Sequence, residues 1–351
     1  TLGFVHMIPQ DVRQRLIDIA STQFKRGDAY HQYSPLTKKG NGGGFSDDHL
    51  WLIIAIAQYL KETGDFQLLD EHAPYDCGEE GNGPMYEHLD AAIEFTRNHI
   101  GPHGLPLMLN ADWNDCLNLW GTQKNSESVW VAMQFVLCCQ EMQKIAEYSG
   151  NDADIEKFKR YETEMMKTIN QVAWDGDWYA RAFTDYKEIV GSKRNEEGKI
   201  YLLPQAWAVI ANIAPREKLI KAMDQLRQHL VTEHGIMLLA PSYSKFDPSL
   251  GSITMYLKGL KENGAIFCHP NPWAMLAEAL LGRGDYAFEY YKAILPAAKN
   301  NIAELRKTEP YVYCQMIAGK DHKDFGEGKN SWLTGTAAWN YVAATQYILG
   351  V

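Results

Sequence analysis

Three apolar segments that begin near Trp51, Trp130 and Trp273 close in the same way, with TGD at 63–65, SGND at 149–152 and GRGD at 282–285. Within each, apolar residues recur at the period of a helix. The closing Gly supplies a left-handed C-cap, and the Asp after it is placed to cap the next helix. A chain that repeats helix, Gly, Asp, helix buries its apolar stripes by stacking αα-hairpins. The uneven spacing excludes a short-period solenoid, so an α/α toroid is the closed form to expect.

The same periodicity predicts helices over 9–24, 46–63, 85–99, 129–149 and 155–172. It predicts five more over 204–213, 216–230, 272–281, 286–295 and 331–349, several opening on Pro or Ser. Strand signals are short, as at 199–203. Long loops over 25–45, 72–84, 101–128, 174–199, 232–271 and 306–330 are where function is expected.

With 351 residues, 46% of them hydrophobic, the chain can bury a sizeable core as one large domain or two smaller ones. A formal charge of -10, with no basic runs, gives no reason to expect nucleic acid or an anionic membrane as partner. The longest apolar run, around 50–57, is far too short to span a bilayer. Six cysteines without CxxC spacing read as reduced thiols, and eleven histidines without HExxH give no metal site. No secretory signal is present, so the expected location is cytoplasmic. The chain opens on Thr1 without an initiator Met, as though an upstream segment had been removed.

Three stretches carry candidate chemistry. NADWNDCLNLWG, residues 110–121, packs two carboxylates, two indoles and three carboxamides into one loop. Indole faces suit the C–H side of a sugar ring, and the polar groups suit its hydroxyls. Asp112 also reads as an Asx-turn or cap, and Trp113 as a core residue. In YLKGLKENGAIFCHPNPW, residues 256–273, Lys261 and His269 offer an anion site, while Lys261 beside Glu262 equally reads as a surface ion pair. In SWLTGTAAW, residues 331–339, Thr334, Gly335 and Thr336 read either as an anion nest or as a helix N-terminus capped by threonine.

Together with LGFVHMIP, YHQYSPLTKKGN, GGFSDDHLWL, KNSWLTGTAAWN and EPYVYCQMIAGKD at 309–321, these stretches resemble the cellobiose phosphorylase family, family 94 of the glycoside hydrolases. The resemblance runs through nearly the whole chain. It implies an (α/α)6 barrel over 1–351, lacking its first helix or helices, without the family's N-terminal β-sandwich and C-terminal sheet. The implied reaction is reversible and inverting: a β-linked glucosyl disaccharide, cellobiose-like, plus phosphate gives α-glucose 1-phosphate and a free sugar. Inorganic phosphate is then a co-substrate, with no cofactor and no metal, and the implied assembly is a homodimer.

Position by position, the resemblance makes Asp115 the general acid, with Trp113 beside it on the sugar. It also assigns Tyr256, Lys261, Glu262 and Gln315 to the substrate and His269, Thr334 and Gly335 to phosphate. An inverting phosphorylase needs only the acid, because phosphate is already an anionic nucleophile. Asp115 then needs a raised pKa, which burial against indole would give. Tyr256 favours a glucosyl over an N-acetylated sugar, and Lys258 reads either as a solvated side chain or as a cation suited to an aldonic acid such as cellobionate. The family's phosphate-binding arginines correspond to positions before Thr1. Two rivals stay open: an inverting hydrolase with Glu262 or Asp112 as base, and a non-catalytic sugar-binding fragment.

Overall fold

The computed structural model describes residues 1–37 and 39–351, so Lys38 of the YHQYSPLTKKGN segment lies outside the described residues. The chain divides into two compact units, residues 1–118 with 123–169 and residues 119–122 with 170–351.

The first unit is built on helices α1 (Pro9–Ala20), α2 (Asp48–Thr63), α3 (Met85–Asn98), α4 (Val129–Tyr148) and most of α5 (Asp152–Val172). Helix α4 is apolar almost all round and correspondingly buried, with Trp130, Phe135, Cys138 and Cys139 shut off from solvent. It packs on α2, which buries Leu50, Ile53 and Ile56. Helix α5 carries a polar outer face and buries only Phe158, Met165 and Ile169. Two hairpins cross the loops: β1 (Tyr30–Ser34) with β2 (Lys39–Gly42), and β3 (His72–Pro74) with β4 (Asn82–Pro84).

The second unit holds α6 (Leu202–Ile210), α7 (Arg216–Leu230), α8 (Asn271–Leu280), α9 (Gly284–Ile294), α10 (Ala303–Arg306) and α11 (Thr336–Val342). Helices α6 and α7 pack as a hairpin, as do α8 and α9, and α6 also lies on α8. At that junction Trp273 meets Trp207 edge to face at 5.4 Å and Trp339 at 5.8 Å, a geometry worth about 0.5–1.5 kcal/mol per ring pair beyond area burial. A three-stranded antiparallel sheet, in the order Ile266–Phe267, Cys314–Ile317, Gly328–Ser331, braces the long loops.

The expected C-caps are present: Gly64, Gly150 and Gly282 have φ of 66°, 66° and 70°. The aspartates after them do not cap. Asp65 instead accepts from Arg13 Nε (3.0 Å) and Tyr59 Oη (2.8 Å). Asn151, one residue before Asp152, receives the Asp154 N–H, and Asp285 lies inside the first turn of α9. The helix expected over 331–349 starts only at Thr336, because Ser331 ends a strand paired with Cys314 and the chain turns through Trp332 at φ 72°. All six cysteines are free thiols. No described helix is long and apolar enough to cross a membrane.

Candidate active site

In the first unit the loop carrying Asp115 is fastened to the strand-like segment that follows β2. Asn110 N–H donates to Gly44 O (2.9 Å), and Ser46 N–H to Ala111 O (2.9 Å). The Asn110 carboxamide also donates to Gly43 O. Asn118 Nδ2 then closes the turn onto Asp115 O at 2.9 Å. Of the 110–121 stretch, residues 119–121 belong to the second unit, where Leu119 N–H donates to Leu250 O (3.3 Å).

Asp112 is fully buried, accepts Ser128 Oγ–H at 2.6 Å and closes an Asx-turn onto Asn114 N–H at 3.0 Å. Both carboxylate oxygens are engaged in holding the loop and the start of α4, where Ser128 is the N-cap. Such a carboxylate is badly placed to activate water. Asp115, three residues on, is open, with 58% of its side-chain surface exposed.

Sequence reasoning missed the neighbour of Asp115. His31, on β1, points Nε2 at Asp115 Oδ1 (3.7 Å) and Nδ1 at Asp48 Oδ2 (3.1 Å), and its ring stacks on Phe45 with centroids 3.6 Å apart. The hydrogen bond to Asp48 raises the His31 pKa, burial opposes that rise, and the charges of Asp48 and Asp115 reinforce it. Asp115 is itself shifted upward. The loops around it remove solvent and raise its pKa, His31 opposes the rise, and Asp48 and Asp112 add to it. A carboxyl that keeps its proton at higher pH while remaining accessible is suited to general-acid work. Trp113 sits half-buried in the same loop.

In the second unit the three-stranded sheet gathers the other expected residues. Phe267 pairs with Met316, and Cys268 N–H donates to Gln315 O (2.9 Å). Lys261, in a left-handed conformation (φ 50°), donates from Nζ to Gln315 Oε1 at 2.6 Å. The structure thus joins Lys261 to Gln315, and Glu262 beside it is buried. Asn330 Nδ2 reaches the same Gln315 oxygen at 3.0 Å.

The same end of the sheet delivers the 332–336 turn to His269. A Cβ on Gly335 would lie 3.3 Å from His269 Cε1, so glycine is what allows this approach. Gly335 is the N-cap residue of α11, and Thr334 Oγ1 accepts Thr336 N–H at 3.2 Å, the threonine-capped helix start. Burial pushes the His269 pKa down to about 4, so its imidazole is neutral near pH 7 and can offer an N–H without a charge.

Tyr256, 36% exposed, is anchored through its backbone. Asn263 Nδ2 donates to Tyr256 O (2.8 Å) and Tyr243 O (2.9 Å), while its Oδ1 accepts Tyr243 N–H (2.7 Å). Asn263 is completely buried, so Asn263→Ala removes three hydrogen bonds to the Tyr243 and Tyr256 backbone. The expected loss is about 2–3 kcal/mol of unfolding free energy in chemical denaturation. A loss below about 0.5 kcal/mol, the scale of ordinary surface changes, would show that the anchor is unimportant.

Residues 1–350 match the family described as the glycosyl hydrolase 94 superfamily, catalytic domain. The N,N'-diacetylchitobiose phosphorylase of Vibrio proteolyticus is 38% identical over 99% of this chain and 46% of its own length. The solabiose phosphorylase of Paenibacillus borealis is 33% identical over 98% of this chain and 44% of its own. The chain therefore spans less than half the length of these relatives. Among solved structures, a sialidase aligns over 100% of this chain and 30% of its own at TM-score 0.65 and 10% identity. A rhamnosidase from Klebsiella oxytoca aligns over 100% and 58% at TM-score 0.58 and 13% identity, a likeness of fold alone.

Proposed function

The chain belongs to the glycosyl hydrolase 94 superfamily as its catalytic domain, and from that premise we propose that it carries out the inverting, reversible phosphorolysis of a β-linked glucosyl disaccharide. The products are α-glucose 1-phosphate and a free sugar. The observation that carries the reading is the division of labour among accessible groups. Asp115 is an open carboxyl with a raised pKa, while its neighbour Asp112, one of the two candidate bases for a hydrolase, is locked into an Asx-turn. A proton donor whose neighbour Asp112 is already engaged suits a nucleophile that arrives already charged.

In this reading Asp115 protonates the departing sugar oxygen and Trp113 supports the ring. Tyr256, Lys261, Glu262 and Gln315 bind the sugars, with the Lys261–Gln315 bond orienting both side chains. His269, Thr334 and Gly335 receive phosphate through an imidazole N–H, hydroxyls and a close backbone approach. No organic cofactor or metal takes part. Residues 1–351 constitute one (α/α)6 catalytic segment of a cytoplasmic homodimer. Tyr256 favours a glucosyl substrate, whereas the diacetylchitobiose-cleaving relatives favour an N-acetylated one.

The test is incubation with cellobiose, cellobionate or N,N'-diacetylchitobiose, each with and without phosphate, with products resolved by NMR. Phosphate-dependent formation of α-glucose 1-phosphate from cellobiose is the expected result. Free sugars released equally without phosphate would make the chain a hydrolase. Saccharide binding with no product would make it a binding segment.

A further inference from the structure

A cavity of about 520 Å³ lies within the first unit, walled by α1, β1 and the segment around β3. The residues that matter are Arg15, Asp18, Thr22, Tyr30, His31 and Tyr33, and none except His31 touches the chemistry described above. Tyr30 and Tyr33 form an aromatic wall, their rings 6.1 Å apart and 32° from parallel. Tyr30 is held from behind, its Oη donating to Asp76 Oδ1 at 2.7 Å and its ring 4.6 Å from that of Phe24.

The polar side of the cavity is equally built. Arg15 makes no ion pair with any described residue, so its guanidinium keeps donors for a ligand. Asp18 accepts from Gln14 through Oδ1 at 3.1 Å. Thr22 and Ser21 spend their hydroxyl protons on Ile19 O (2.7 Å) and Ile17 O (2.8 Å), which leaves their oxygens as acceptors. One cation and one anion on the rim cancel, and the His31 imidazole is balanced by Asp48, 3.1 Å from its Nδ1. The lining therefore offers flat apolar faces, donors and acceptors at no net charge, in a volume typical of small-molecule sites.

We propose that this cavity is an accessory subsite for a neutral pyranose ring, stacked on Tyr30 and Tyr33 and hydrogen-bonded by Arg15 and Asp18. A lone apolar ligand would strand the charges of Arg15 and Asp18, and an anionic one would meet the Asp18 carboxylate. His31 lines the cavity and also stands 3.7 Å from Asp115, so a sugar bound here lies one imidazole away from the proton donor. Binding itself is independent of the phosphorylase reading, whereas its description as accessory to a reaction rests on that reading.

The experiment is an NMR titration of the protein with cellobiose, following the His31 ring signals assigned through His31→Gln, in a Trp113→Ala background that weakens binding on the catalytic loop. Saturable shifts are expected, with affinity reduced about tenfold or more by Tyr33→Ala or Arg15→Ala and retained by Tyr33→Phe, the control for folding. The proposal is overturned if Tyr33→Ala and Arg15→Ala both leave the cellobiose titration within about twofold of the parent. It is also overturned if methyl β-glucuronide binds and cellobiose does not. Absence of sugar phosphate in the product assay, with this titration intact, would defeat the phosphorylase reading and leave the subsite standing.

Discussion

Asp115→Asn is expected to lower cellobiose phosphorolysis about 10²–10⁴-fold, with an unchanged circular-dichroism spectrum and melting transition. The carboxamide keeps the size of the side chain but has no proton to give, so the departing sugar would leave as an alkoxide. A substrate whose leaving group needs no protonation, such as a dinitrophenyl β-glucoside with phosphate, should lose far less. That contrast separates loss of the acid from loss of binding. The pH profile carries a second arm. A general acid works while protonated, so activity falls as pH rises through the Asp115 pKa, and the upward shift of that pKa extends the active range. Protonated His31 opposes the shift. His31→Gln should therefore move the alkaline limb of kcat/KM to higher pH, even if the maximal rate drops. A limb that moves to lower pH, or an Asp115→Asn enzyme of full activity, would remove Asp115 from its role.

How much of this was legible beforehand depends on the range of the interaction. Nine of the ten expected helices form with bounds shifted by a few residues, because a 3.6-residue period is a local signal. The left-handed glycines at 64, 150 and 282 were legible for the same reason. The capping aspartates were not, since Asp65 is taken by Arg13, which is 52 residues away in the chain. The sheet around Cys314–Ile317 gives only a four-residue apolar signal, and its partners are fixed by pairing across long separations. The cost was a C-terminal helix drawn five residues too early.

At the site, the Lys261–Gln315 bond and the meeting of His269 with Gly335 join positions that family resemblance had singled out separately. The His31–Asp48 pair was overlooked although both residues sat in quoted segments, YHQY and SDDH. Only the fold of β1 against the start of α2 makes them neighbours, and nothing in their spacing of seventeen residues announces it.

His269→Ala should raise the KM for phosphate by about tenfold to a hundredfold, the loss of one hydrogen bond to a charged group worth about 1.5–3 kcal/mol, with a much smaller effect on the KM for disaccharide. The imidazole serves as a neutral donor in the free protein, because burial holds its pKa at about 4. Phosphate must then raise that pKa, since an anion favours the protonated ring and any ligand preferring one protonation state shifts the equilibrium toward it. In an NMR pH titration the His269 ring signal should show a midpoint near 4 without ligand and a higher one at saturating phosphate. Gly335→Ala tests the same contact from the other side. Its new methyl group would lie 3.3 Å from His269 Cε1, so the ring must give way by a few tenths of an ångström, and phosphate binding should weaken by a smaller factor than in His269→Ala. A phosphate-insensitive midpoint together with an unchanged KM in both variants would place the nucleophile elsewhere, and the neutral imidazole would then be a core residue packed against Trp273 at 5.4 Å.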